Sequence, residues 1–383
     1  MTLASYFNDL TPIVLRISGD FAIRWYGLSY VAGFVIAWAI LFSLAKRRGS
    51  DGAPLIRIPP HRVGDALMWL VFGTIAGGRL GYCIFYEPSL LIKLSKDFPF
   101  WGVLAINKGG MASHFAILGC VLASWRISRG WKPLDSGDAG APATREGVST
   151  LRHVIDMLAI TGPFGLFLGR IANFVNGELL GKVVAPPGES GPAWSVQFPT
   201  ELLGWSGRRA DGQPGLVRDA LSHAPELSLQ QQSALDALVR TGASIVGPDA
   251  TWRQGLRYVI ENAARFKSEL APLTSSRHPS QLYQALAEGL ILAAVSWVVW
   301  WFYRKREGVT AGVWLMVYGV LRIVTELYRL PDAQFGDAGR PLGLSRGQWF
   351  SVGMVLAGAA LFTWAIRSGR GGRNPADTSP GSG

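Results

Sequence analysis

Seven runs of mostly apolar residues dominate this chain, near 25–45, 63–86, 111–128, 153–174, 283–303, 310–328 and 347–366. A helix of roughly 20 such residues spans the hydrocarbon core of a bilayer. Hydrocarbon offers the backbone no hydrogen-bond partners, so runs of this kind cross it as helices, which bond their own backbone internally. Composition agrees, because 49% of the residues are hydrophobic and only 16% are charged, too apolar a balance for a soluble domain of this size. The expectation is an all-α integral membrane protein of about seven transmembrane helices.

Positive residues in short loops stay on the cytoplasmic side, and they divide unevenly here. With the N-terminus outside, the inner segments carry sixteen Lys and Arg, among them Lys46, Arg47, Arg48, Arg126, Arg129, Arg304, Lys305 and Arg367, against eight in the short outer segments. This predicts an extracytoplasmic N-terminus and a cytoplasmic C-terminus. The first 24 residues lack the basic start of a signal peptide. Flanking positions and anionic headgroups account for the net charge of +11, and no nucleic-acid motif accompanies it. Cys83 and Cys120 fall on two different spans and read as packing residues.

The chain divides into four segments: helices one to four over 1–181, a polar insertion over 182–276, helices five to seven over 277–368, and a cytoplasmic tail over 369–383. The topology places the insertion outside the membrane as a small head. It opens on a Pro/Gly-rich loop at Ala185–Pro192. Ser228 and Gln231 form a capping-box pattern before a helix to about Arg240. A second, amphipathic helix is predicted from Trp252 to Leu270, to pack on its own head or lie on lipid. Residues 134–150 and the tail read as flexible linkers.

Ionisable residues inside a span are costly to bury. Arg79, Arg170 and Asn173 sit late in outward-running spans, while Tyr26 and His114 begin inward-running ones, so all fall in the outer third. Tyr318, Arg322 and Glu326 occur at i, i+4 and i+8, one stripe of a helix that climbs to the same layer. Singly, each has an ordinary reading, as an intrahelical ion pair or a snorkelling arginine. Together, three arginines exceed the one carboxylate noted beside them by two charges, which predicts an anionic ligand. Guanidinium forks suit phosphate, and a phospholipid head supplies phosphate at that depth. His114 titrates near neutrality when unperturbed, at about pH 6.5. His61, His153 and His223 read as structural, and His278 as a residue that orients its loop. Gly77-Gly78 and Gly162-Pro163 fit close helix packing or a lipid path, packing being the stronger reading.

At these residues the chain resembles the bacterial prolipoprotein diacylglyceryl transferases. The resemblance rests on Arg24-Trp-Tyr-Gly27, Gly77-Gly-Arg-Leu-Gly-Tyr82, Gly169-Arg-Ile-Ala-Asn-Phe-Val-Asn-Gly-Glu178, Arg277-His-Pro-Ser-Gln-Leu-Tyr283 and Tyr318-Gly-Val-Leu-Arg-Ile-Val-Thr-Glu326, with Arg329-Leu-Pro-Asp-Ala-Gln-Phe335 and Gly347-Gln348 adding to it. It covers all seven spans in order. It implies a multi-pass enzyme of the bacterial inner membrane. Such an enzyme moves the diacylglyceryl group of phosphatidylglycerol to the lipobox cysteine of a preprolipoprotein, forming a thioether and releasing glycerol phosphate. No metal or diffusible cofactor is implied. The family's essential positions fall on Tyr26, His114, Arg170, Asn173, Asn176, Gly177, Glu178, Gly181, Tyr318, Arg322 and Glu326. Resemblance and depth together suggest His114 as base, Arg170 and Arg322 as phosphate clamps, Glu326 as the group orienting Arg322, and Tyr26 with Asn173 as headgroup donors. Arg79 joins the substrate-binding set through its depth.

Two features depart from the family. Gly109-Gly-Met-Ala-Ser-His-Phe-Ala116 carries Phe115 and Ala116 where the family has two glycines, and the insertion of about 95 residues is long. A catalytically impaired member that only binds lipid would retain the same arginines. A flippase or transporter would show matching broken helices in both halves, and Gly162-Pro163 has no such counterpart.

Overall fold

The apolar runs fold as helices in a computed structural model that describes residues 5–18, 21–96, 100–105, 110–133, 145–208, 214–216, 225–330 and 345–368. The principal helices are Trp25–Lys46 (α1), Val63–Phe85 (α2), Ser113–Ser128 (α3), Leu151–Asn176 (α4), Leu229–Val246 (α5), Trp252–Glu261 (α6), Ser280–Tyr303 (α7), Val309–Glu326 (α8) and Arg346–Ser368 (α9). Among the described residues, α1, α2, α4, α7, α8 and α9 are long and apolar enough to cross a membrane. The remaining expected span, near 111–128, folds as the shorter apolar helix α3. Ala112 is extended and Gly130 has φ +67°, so α3 keeps 16 residues, about 24 Å at 1.5 Å per residue. The linker at 134–150 lies mostly, and the tail beyond 369 wholly, outside the described residues.

Contacts divide the chain into two units. One comprises residues 34–162, 296–313 and 360–383. Its core joins Leu41, Leu44, Ile56, Val63, Met157, Ile160 and Trp300. Here α2 and α3 approach closely through small residues, as helices in lipid do: a Cβ on Gly73 would lie 2.6 Å from the Gly119 carbonyl oxygen. A Cβ on Gly77 would likewise collide with the Phe115 carbonyl oxygen, so the packing reading of Gly77-Gly78 holds. It does not hold at Gly162, where an added Cβ would meet nothing within 4 Å. Asp156, buried in α4, accepts from the backbone N–H of Gly308 (2.7 Å) and Ala311 (2.8 Å), satisfying donors at the start of α8. His153 is structural as expected, its Nε2 accepting from the Arg57 N–H.

The other unit comprises residues 1–33, 163–295 and 314–359, and it contains the polar insertion. That insertion is not purely helical. Tyr6–Phe7, Val196–Gln197, Ser276–Arg277 and Val183–Ala185 form a four-stranded sheet in that order, strands too short for period-two alternation to betray. The capping box at Ser228 and Gln231 forms as predicted, and α5 runs on to Val246. Thr251 and Gln254 form a second box, and α6 stops at Glu261, short of the predicted Leu270. Leu256, Val259, Ala263 and Phe266 are buried with Leu235 and Val239 in the core of the insertion, so α6 packs on its own domain.

Candidate active site

Two arginines and two glutamates from three spans meet within the second of these units. Glu288 lies fully buried in a π-helical turn of α7, Ala285–Ile291, a distortion common at functional positions. Its Oε2 accepts from Arg170 Nε (3.2 Å) and Nη2 (2.8 Å). Its Oε1 accepts from Arg322 Nη1 (3.3 Å) and Thr325 Oγ1 (3.2 Å). One carboxylate thus spans the end of α4 and the end of α8. Arg322 Nη2 also lies 3.1 Å from Glu326 Oε2, one turn on. That contact is an ion pair without hydrogen-bond alignment, because Glu326 Oε2 is buried with no hydrogen-bond partner among the described residues. Glu326 Oε1 sits at the limit of bonding from Ser345 Oγ, 3.5 Å away. Ser345 and Gln348 cap the start of α9 reciprocally. Tyr318 lies within electrostatic reach of Glu288, Arg322 and Arg170 and so borders the cluster.

This geometry corrects the charge excess inferred from sequence. With Glu288 counted, the two arginines face two carboxylates and the cluster balances. Arg79 lies in the other unit, where its Nε donates to the Val103 carbonyl (2.8 Å), Nη1 to Gly110 (2.8 Å) and Nη2 to Gly102 (2.7 Å). Backbone carbonyls therefore engage the guanidinium expected to meet phosphate, and Arg79 holds a loop against α2. Glu288 was legible by the rule applied to its neighbours, as a carboxylate within the apolar run 283–303.

The end of α4 carries a second group. Asn173 is buried. Asn176 Nδ2 donates weakly to Glu178 Oε1 (3.4 Å), while Asn176 Oδ1 is buried without a partner among the described residues. Gly177 ends the helix at φ +62°, with its carbonyl bonded by Thr200 Oγ1 (2.6 Å); a left-handed residue there favours glycine. Gly181 leaves no room for a Cβ against the His278 carbonyl, so it serves backbone packing. Burial pushes the Glu178 carboxyl above the usual range, with the Asn176 amide pulling it back. Tyr26 receives a hydrogen bond from Tyr30 (3.1 Å), and Tyr30 lies within Coulombic reach of Glu178. His278 packs its ring on Trp194 at 4.9 Å, as a loop-orienting residue would.

His114 starts α3 in the other unit, and its side chain lies outside the described residues. Phe115 beside it stacks on Phe85 (4.6 Å between ring centroids), and its ring occupies the space a Cβ on Gly81 would need. The bulk that departs from the family is thus accommodated by a glycine of α2.

Apolar spans enclosing a charge-balanced guanidinium–carboxylate cluster define a multi-pass membrane protein with a polar site built inside its helices. The family profile described as prolipoprotein diacylglyceryl transferase matches residues 12–364. Phosphatidylglycerol–prolipoprotein diacylglyceryl transferases of Bdellovibrio bacteriovorus, Ruegeria pomeroyi and Paramagnetospirillum magneticum are similar. They are 37% identical over 92% of this chain and 92% of the relative, 32% over 92% and 94%, and 31% over 96% and 98%, respectively. The chain belongs to the prolipoprotein diacylglyceryl transferase family, and is a transferase of lipoprotein maturation.

Proposed function

We propose that the chain transfers diacylglycerol from phosphatidylglycerol to the lipobox cysteine of a preprolipoprotein signal peptide, in the bacterial inner membrane with its N-terminus outside. The orientation is supported by the distribution of Lys and Arg. The cysteine thiol, with an ordinary pKa of about 8.5, attacks well only as thiolate. Sulfur bonds to the glyceryl carbon that carries the phosphate ester, that C–O bond breaks, and glycerol phosphate leaves with the electron pair. The thiol proton goes to a base, a role His114 takes from the family resemblance alone.

The observation that carries this reading is Glu288 holding Arg170 and Arg322 from opposite sides. Each guanidinium has five N–H donors in a fixed plane, and the carboxylates engage two nitrogens of each. The remaining donors suit the phosphate oxygens, where charge grows as the bond breaks. Neutralisation by Glu288 and Glu326 lowers the cost of keeping two cations in the membrane. Tyr26, Asn173, Asn176, Glu178 and Tyr318 border this chemistry as headgroup contacts, and Gly177 and Gly181 shape the turn.

Purified protein incubated with phosphatidylglycerol and a lipobox peptide should give a diacylglyceryl thioether by mass spectrometry. Arg170→Ala and Arg322→Ala should abolish it while remaining folded in the membrane. Equal transfer from phosphatidylethanolamine alone would overturn the donor assignment.

A further inference from the structure

Gln281, Gln284 and Glu288 are all fully buried and fall at i, i+3 and i+7 along α7, so they share one face. Glu288 anchors that face to Arg170 and Arg322. Gln284 lies about one turn before it, and Gln281 about one turn before Gln284. Gln281 Nε2 donates to the Glu178 carbonyl, which ties this stripe to the turn after α4. Among the described residues its Oε1 has no partner, and neither does Oε1 or Nε2 of Gln284. A buried primary amide bonded at neither end is costly to hold. It is retained where something with both donor and acceptor character meets it.

We propose that Gln284, assisted by Gln281 Oε1, binds the hydroxyl-bearing headgroup of the lipid donor and selects it against headgroups that lack hydroxyls. This rests on the donor assigned above. A glycerol head carries two hydroxyls a few bonds from its phosphate. One can donate to Gln284 Oε1 while the other accepts from Nε2, with the phosphate on the two arginines. An ammonium head only donates; it leaves Nε2 unpaired and sets a cation beside two guanidinium groups. A plain alkyl head satisfies neither end of the amide. Sites built to bond a substrate hydroxyl reject analogues without it, because their own polar groups are then stranded.

The test compares kcat/KM for phosphatidylglycerol and for phosphatidylethanol, which has the same phosphate and no hydroxyl. It uses the full-length protein and Gln284→Leu in nanodiscs, with Gln281→Leu as a second variant. Wild type should prefer phosphatidylglycerol at least tenfold. Gln284→Leu should bring that ratio close to one, chiefly through a higher KM for phosphatidylglycerol, with a thermal midpoint equal to or above that of wild type. Gln281→Leu should lower the ratio less. A Gln284→Leu protein that keeps the wild-type ratio, or melts below wild type, overturns the proposal, the second result because it makes the amide structural. Wild type that transfers from neither lipid would instead refute the donor assignment.

Discussion

Replacing Glu288 by Gln tests whether one carboxylate organises the site. The carboxylate accepts four contacts of 2.8 to 3.3 Å, three from guanidinium nitrogens and one from Thr325. Glutamine keeps one accepting oxygen and turns an NH2 group toward a cation, so one arginine loses its partner. Breaking a buried ion pair on one side costs about 3 to 5 kcal/mol. The arginine side chains retain 15% exposure, which favours the lower end, about 3 kcal/mol of stability, and a clamp displaced by about 1 Å costs on the order of a hundredfold in rate. The loss should fall on kcat. Guanidinium groups released from Glu288 still attract phosphate, so KM for the lipid should stay level or fall, but they no longer hold the phosphate in line with the attacking sulfur. Thioether formation would be followed by mass spectrometry across a lipid titration in nanodiscs, on protein monodisperse by size exclusion. A kcat within threefold of wild type, or a loss confined to KM, would show that Glu288 does not organise the site.

Arg170→Lys and Arg322→Lys should each remain at least tenfold below wild type in the same assay, because a point charge cannot reproduce the two-nitrogen grip of Arg170 or bridge Glu288 and Glu326 as Arg322 does; two active lysine variants would show that charge suffices. Gly81→Ala should lower the thermal midpoint, since its Cβ would collide with the Phe115 ring, and adding Phe115→Gly should recover part of the loss. Full activity in His114→Ala would remove that residue as base, whereas near-complete loss with retained folding is expected. Burial raises the Glu178 carboxyl, so the folded state favours its protonated form and loses that contribution as pH rises through the ordinary carboxylate range and above it; Glu178→Gln should therefore melt higher than wild type near neutral pH and converge with it below about pH 4. A reporter fused within 205–250 should lie outside and one after Gly369 inside, and finding both on one side would refute the orientation.

Local pattern carried much of this protein in its sequence. Bilayer-length apolar runs announce helices because backbone bonding in lipid leaves no alternative, and the Ser228–Gln231 cap depends on residues three apart. Arg322 and Glu326 pair as their one-turn spacing requires. The meeting of Arg170 with Glu288, 118 positions later, depends on how α4 and α7 pack, and no spacing encodes it. For the same reason Arg79 looked like an anion ligand until three carbonyls from residues 102–110 claimed its donors. The strand pairing of Tyr6 with Val196 was equally invisible, since two-residue strands have no periodicity of their own. Hydropathy, a sum over neighbours, fixed which segments enter the membrane. The charge balance of the site came from tertiary packing, because buried donors and acceptors choose partners across the fold.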